Sequence, residues 1–234
     1  IKYEITDGSS HYFFAQQFYE NSTLLYNEYT DDVLQLYNSS FRLPGAYVNE
    51  GILFKVFDGI ILKTDLFIGF DLLILFLSGI LSYYLLKKYS KGDKKLKVIA
   101  FIFSIIYMLG YQLNSMIYGY VYLSLALDII ITFLLLMSNY EEEELQDNIA
   151  MFILSLISFG IFFTYAYFVP IIYISIIVGI IIKTIQNKEK ILSENNMTLI
   201  GYLILVPLIL GATYFIIMPV VKGMKTEIST IGRD

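Results

Sequence analysis

The sequence predicts an all-α fold: a polytopic transmembrane helix bundle of about six spans, preceded by an extracytoplasmic loop of short amphipathic helices. Three observations point to it. The chain is 57% hydrophobic with a mean hydropathy of +0.65, well above an ordinary soluble domain. Its apolar residues fall into runs near the roughly 20 residues that a helix needs to cross a hydrocarbon core of about 30 Å. Its charged residues gather in positions 1–63 and in short segments between those runs.

Residues 1–63 read as the extracytoplasmic loop. Asp7-Gly8-Ser9-Ser10 suits a turn and a helix start, because Asp and Ser side chains accept from free backbone N–H groups. A helix over 10–20 follows, with Tyr12, Phe13, Phe14, Phe18 and Tyr19 as its apolar part. It is too short and too aromatic to span, and fits the membrane–water boundary. Asp31-Asp32 and residues 34–37 suit a second short helix, and Phe41-Arg42-Leu43-Pro44-Gly45 a turn. Residues 51–61, with Ile52, Leu53, Phe54, Val56 and Phe57, suit another boundary helix. About 60 residues is near the lower limit for an independent core, so these helices are expected to lie on the bundle.

The bundle is expected over 64–220, with spans at about 66–86, 98–112, 117–138, 150–166, 168–182 and 198–220, and an extracytoplasmic tail at 221–234. Six lysines within residues 87–97 close the first span. Residues 98–138 are too long for one crossing, so a break is placed at 113–116. The acidic run 141–144 closes the third span. Residues 150–182 are again too long, and Pro170 marks a break at 165–170, since proline lacks an N–H and disfavours helix at Val169. Placing the lysine-rich 87–97 loop in the cytoplasm puts the N-terminal loop and the tail outside. The chain opens on Ile1 in polar sequence, so a longer protein with at least one further helix upstream is expected.

Several functions are excluded. There is no Cys, hence no disulfide or thiolate metal site, and the single His11 rules out a histidine-cluster metal centre. No Walker A loop, GxGxxG or HExxH is present. The one dense basic cluster is the short 87–97 loop, which serves orientation or anionic lipid and not nucleic acid.

The candidate chemistry lies in few residues. Asp7 and His11 are four apart and share a helix face. Asp7 is either a helix cap or a general base toward a hydroxyl; His11 is a boundary hydrogen-bonding residue or a substrate contact. Arg42 suits bidentate binding of phosphate, or an ion pair with Asp31, Asp32 or Glu50. Asp71 and Asp128 lie within apolar spans, where a carboxylate must face the bundle interior or water. Asp71 is near the outer end. Asp128 is near mid-span, suited to pairing with a Tyr or Asn114 or to a proton role. Gln112 and Asn114 are expected at an outer turn.

Asp7-Gly-Ser-Ser-His11-Tyr-Phe-Phe-Ala15, a short amphipathic stretch, Phe41-Arg-Leu-Pro-Gly45, a further boundary helix and paired spans with tight outer turns follow one another here. This layout resembles the N-terminal half of a GT-C type membrane glycosyltransferase, and is similar to the bacterial YfhO-like membrane proteins. The resemblance covers most of the chain and lies mainly in layout. It implies transfer of a sugar from a polyprenyl-phosphate-linked donor to a glycan, lipid or protein acceptor. Transfer would be inverting, on the outer face of a bacterial or archaeal cell membrane. Asp7 matches the family's first-loop carboxylate and would be catalytic. His11, Arg42 and Asp71 would bind substrate, Arg42 at the lipid phosphate on chemical grounds. Many members carry a second acid in this loop; Gly8 stands there instead, which argues against an acidic-pair mechanism. No cofactor is implied, although Asp7 and Asp71 could share a divalent cation. Two other classes fit the same residues: a transporter or flippase of a lipid-linked glycan, and a non-catalytic envelope-assembly protein in which Asp7 only caps a helix.

Overall fold

A computed structural model of the protein describes residues 8–21, 45–139, 148–187 and 193–213. All of their regular structure is helical. Two short helices come first, α1 (Gly8–Asn21) and α2 (Gly45–Val56). They are followed by α3 (Lys63–Tyr89), α4 (Lys94–Ile117), α5 (Val121–Asn139), α6 (Asn148–Thr164) and α7 (Val169–Asn187). A last helical segment, α8, runs through Glu194–Ile200, a π-helical stretch Gly201–Leu205, and Val206–Ala212. Lys63–Tyr89, Lys94–Ile117, Val121–Ser138 and Val169–Gln186 are long and apolar enough to cross a membrane. Ile149–Thr164 and Asn196–Ala212 are shorter apolar helices. The protein is an integral membrane protein.

The turns follow local chemistry. After Val56 the chain leaves the helix through a turn containing Gly59 at φ 71°, a left-handed conformation open mainly to glycine. This ends α2 five residues before the expected limit of 61. At its other end α2 starts at Gly45, six residues before the expected 51, because Ala46, Tyr47 and Glu50 already lie on its buried face. Between α3 and α4, Lys91 (φ 46°) and Gly92 (φ 91°) reverse the chain. Asp93 then caps α4 by accepting from the Lys95 N–H at 2.7 Å. The α4–α5 turn is Tyr118-Gly119-Tyr120, with Gly119 at φ 83°. It is not at 113–116, where Leu113–Ile117 continues as helix. Residues 165–168 separate α6 from α7, and Pro170 sits in the first turn of α7, where its missing N–H has no helical partner to lose. The expected helix at 34–37 and the acidic run 141–144 lie outside the described residues.

Successive spans run antiparallel, so the 118–120 and 165–168 turns share one end of the bundle and the lysine-rich turn lies at the other. The buried face of α3 is Phe67, Asp71, Ile74, Leu75, Ser78 and Ser82, spaced by three and four. It packs on α4 and α5. A Cβ on Gly79 would stand 2.8 Å from Met108 Sδ, so the small residue lets α3 and α4 close together. In the second half, Phe133, Leu154, Ile161, Val169, Tyr173, Leu203 and Ile204 form one core across α5 to α8. The Ser158 hydroxyl donates to the Leu203 carbonyl at 2.8 Å, inside the π-helical stretch of α8. Asn196 donates to Thr184 Oγ1 at 2.9 Å and ties α8 to α7.

α1 and α2 cross at Gly51, where a Cβ would meet the Ala15 carbonyl oxygen at 2.9 Å and Phe18 Cδ1 at 2.6 Å. Backbone cannot yield as a side-chain tip does. Gly51→Ala is therefore expected to destabilise by about 1–3 kcal/mol, the usual cost of overpacking. Melting of the detergent-solubilised protein checks this; an unchanged midpoint would mean that the two helices do not touch there. α2 also abuts the upper end of α6, since a Cβ on Gly45 would lie 3.0 Å from Thr164 Cα. It is thus seated between α1 and the span ends.

Candidate functional site

The buried stripe of α2 carries polar groups into the junction of five helices. Ala46, Tyr47, Glu50, Gly51 and Phe54 recur at helical spacing, which places Tyr47 and Glu50 one turn apart on the same face. Opposite Tyr47 stands His11 of α1, 1% exposed. His11 Nδ1 and Tyr47 Oη share a buried hydrogen bond of 2.6 Å, with the two rings stacked at 5.2 Å between centroids. Tyr122, in the first turn of α5, meets the imidazole at 5.1 Å and stacks on Tyr165 at 5.7 Å. His11 is therefore held between α2 and the start of α5, and its ring orientation is fixed on two sides.

One turn further along α2, Glu50 is fully buried, and neither carboxyl oxygen has a hydrogen-bond partner among the described residues. Burial holds its pKa well above the usual carboxylate range, and the negative charge of Asp71 on α3 raises it further. Asp71 is itself 7% exposed. A protonated carboxyl beside a second carboxyl offers one donor together with several acceptors, the combination used in acid–base chemistry.

Of the residues singled out from sequence, His11 and Asp71 come to the same end of the bundle, linked through Tyr47 and Glu50 of α2. Asp7 and Arg42 lie outside the described residues. Asp128 sits deeper, and its described partner is Ser78 of α3, with Oδ1 2.7 Å from Ser78 Oγ; it is neither a tyrosine nor Asn114. Gln112 and Asn114 are inside α4 and not at a turn. Gln112 is completely buried within the π-helical stretch Tyr107–Gln112. The i to i+5 register of that stretch brings Tyr107 and Gln112 together, and Gln112 Nε2 donates to Tyr107 Oη.

The sequence reading missed Tyr47 and named Glu50 only as an ion-pair partner for Arg42. The available signal was the period of Ala46, Glu50 and Phe54, which appears only when the helix is started at Gly45. Beside this cluster an open cleft is lined by Tyr12, Asp58, Lys63 and Thr64 together with Gly59, Ile60, Ile61 and Leu62. The Lys63 ammonium lies 3.6 Å from the centroid of the Tyr19 ring, a cation–π contact that ties α1 to the start of α3. The Tyr19 hydroxyl hydrogen-bonds Asp58, which with burial and the Asp58 charge raises its pKa. Among the described residues no group of three or more His, Asp or Glu side chains is arranged to hold a metal ion.

No protein-family model matches the chain, and neither curated proteins nor solved structures provide a match. The functional reading therefore stands on the residues and their arrangement.

Proposed function

We propose that the protein is an inverting glycosyltransferase of the GT-C type. It moves a sugar from a polyprenyl-phosphate-linked donor to a glycan, lipid or protein acceptor at the extracytoplasmic face of a bacterial or archaeal membrane. In this reading α6 and residues 196–212 complete a set of six spans. The end bearing α1 and α2 faces outward, opposite the lysine-rich turn. The observation that supports the reading best is the boundary pair α1–α2 seated on the span ends, with His11 and Glu50 on their buried faces and Asp71 buried on the adjoining span. A polyprenyl-linked donor keeps its tail in the bilayer and its sugar–phosphate bond at the surface, so the reacting groups must sit at that level.

The roles follow from the chemistry. Asp7 takes the proton of the acceptor hydroxyl as that oxygen bonds to the anomeric carbon. The bond from that carbon to the phosphate oxygen breaks, and the polyprenyl phosphate leaves with its charge balanced by Arg42. His11 and Asp71 form the substrate-binding floor of the site. No cofactor is needed; the same assay with and without EDTA decides whether a divalent cation between Asp7 and Asp71 takes part.

Asp7→Asn in the full-length protein is expected to lower transfer from a radiolabelled polyprenyl-phosphate sugar pool by about 10²–10⁴-fold, the usual contribution of a general base, with expression unchanged. Undiminished transfer would remove Asp7 from the mechanism. A second reading, a transporter or flippase of a lipid-linked glycan, is favoured by the polar contacts buried within the spans, Ser78 with Asp128 and Tyr107 with Gln112. Movement of a labelled lipid-linked glycan across proteoliposomes without any transfer would favour it.

A further inference from the structure

Ser78 stands within hydrogen-bonding distance of two acceptors at once. The Ile74 carbonyl of its own helix is 2.9 Å from its hydroxyl oxygen, and Asp128 Oδ1 on α5 is 2.7 Å away. A hydroxyl has one proton to donate and lone pairs with which to accept. The two contacts are both full two-centre hydrogen bonds only if one of them runs toward Ser78; otherwise a single proton is shared and each bond is weakened.

An ionised Asp128 would have Ser78 as its one donor among the described residues, while its buried Oδ2 has none there. A carboxylate offers about four acceptor positions, so most of its charge would face apolar interior. The surrounding spans supply no counter-ion either: no Lys or Arg occurs in residues 64–86 or 98–182. Those stretches hold the interior of α3, most of α4, and all of α5 and α6. A protonated carboxyl removes the difficulty. Asp128 then donates to Ser78 Oγ, Ser78 donates to the Ile74 carbonyl, and every donor in the relay has an acceptor.

We propose that Asp128 is an intramembrane proton-binding site, whose bound proton joins α5 to α3 through Ser78. Among the described residues the titratable groups around it are few. Tyr107 of α4 interacts with it electrostatically; Asp71 lies two turns toward the outer site on α3, and Glu50 lies beyond it on α2. α6 carries no titratable residue. The site is independent of the Asp7 chemistry and holds whether or not the protein transfers a sugar.

Infrared difference spectroscopy of the full-length protein in lipid nanodiscs at neutral pH tests this, with aspartate alone isotopically labelled to exclude Glu50. Asp128→Asn keeps size and a donor, and is expected to remove one protonated-carboxyl C=O band. Ser78→Ala is expected to retain that band but shift it to higher frequency, because the acid O–H has lost its acceptor. Loss of a carboxylate band in Asp128→Asn, with no protonated-carboxyl band removed, would overturn the bound proton. Should Asp128→Asn fail to fold, Ser78→Ala decides alone: a labelled protonated band that shifts supports the relay, and a spectrum unchanged from the parent overturns it.

Discussion

Glu50→Gln is expected to raise the melting temperature of the solubilised protein at alkaline pH and to flatten its dependence on pH. Glu50 is enclosed by α1, α2 and the span ends and has no hydrogen-bond partner among the described residues. Its pKa in the folded chain is raised well above the ordinary carboxylate range, first by burial and then by the charge of Asp71. With the folded value above the unfolded one, the unfolded chain releases the proton first as pH rises. The stability associated with the neutral carboxyl is full below the unfolded pKa. It falls through the window up to the folded pKa, by as much as about 1.4 kcal/mol per pH unit for one proton. Gln cannot release a proton, so this slope disappears in the variant. Melting of both proteins from acid to alkaline pH is the check. Parallel curves would show that Glu50 does not titrate with folding and that the enclosed acid is not part of the folded core.

The second large effect concerns the core shared by α5 to α8. Leu154→Ala should cost about 2 kcal/mol, while Leu156→Ala, two residues along the same helix, should cost less than about 0.5 kcal/mol. Leu154 is wholly buried and Leu156 is 47% exposed on the bundle surface. Lipid tails are as apolar as leucine, so the transfer part of the usual penalty largely vanishes in a bilayer. What remains is the cavity and the lost close contacts against Phe133, Ile161 and Leu203. That is why the expected figure is at the low end of the range of about 2–5 kcal/mol for buried leucines in soluble proteins. Reversible unfolding in mixed micelles measures both variants. Equal losses would show that α6 does not present its Leu154 face to the other helices.

Much of the architecture was legible because membrane-spanning helices are written in long apolar runs. α3, with its lysines at Lys87 and Lys88, needs no partner to be recognised. The α6–α7 break could be placed from Pro170 for the same reason, since the constraint is local. The α4–α5 turn was misplaced. Leu113-Asn114-Ser115-Met116 looks polar enough to break a helix, yet a helix tolerates Asn and Ser when Ser115 turns inward and Asn114 outward. The turn needed Gly119 and its positive φ.

The site was harder to read because its contacts join residues far apart in sequence. His11 meets Tyr47 across 36 positions, and Ser78 meets Asp128 across 50. Glu50 was read only as an ion-pair partner for Arg42, since an acid next to Asn49 reads as a solvated position until the helix is known to bury that face. For Asp7 and Arg42 the sequence remains the source of the assignment.

The π-helical stretch Tyr107–Gln112 gives α4 a rotational vernier. One residue more than an α-turn requires is absorbed there, so the upper turns are offset by about 100° from where an unbroken α-helix would carry them. Below the stretch, Phe101, Ile102, Phe103 and Ile106 point outward to lipid. At its last residue Gln112 points inward, and above it so do Ser115 and Met116. The lower half of α4 can thus vary to suit its lipid while the upper half keeps its register against Val121, Ile74 and Ala46.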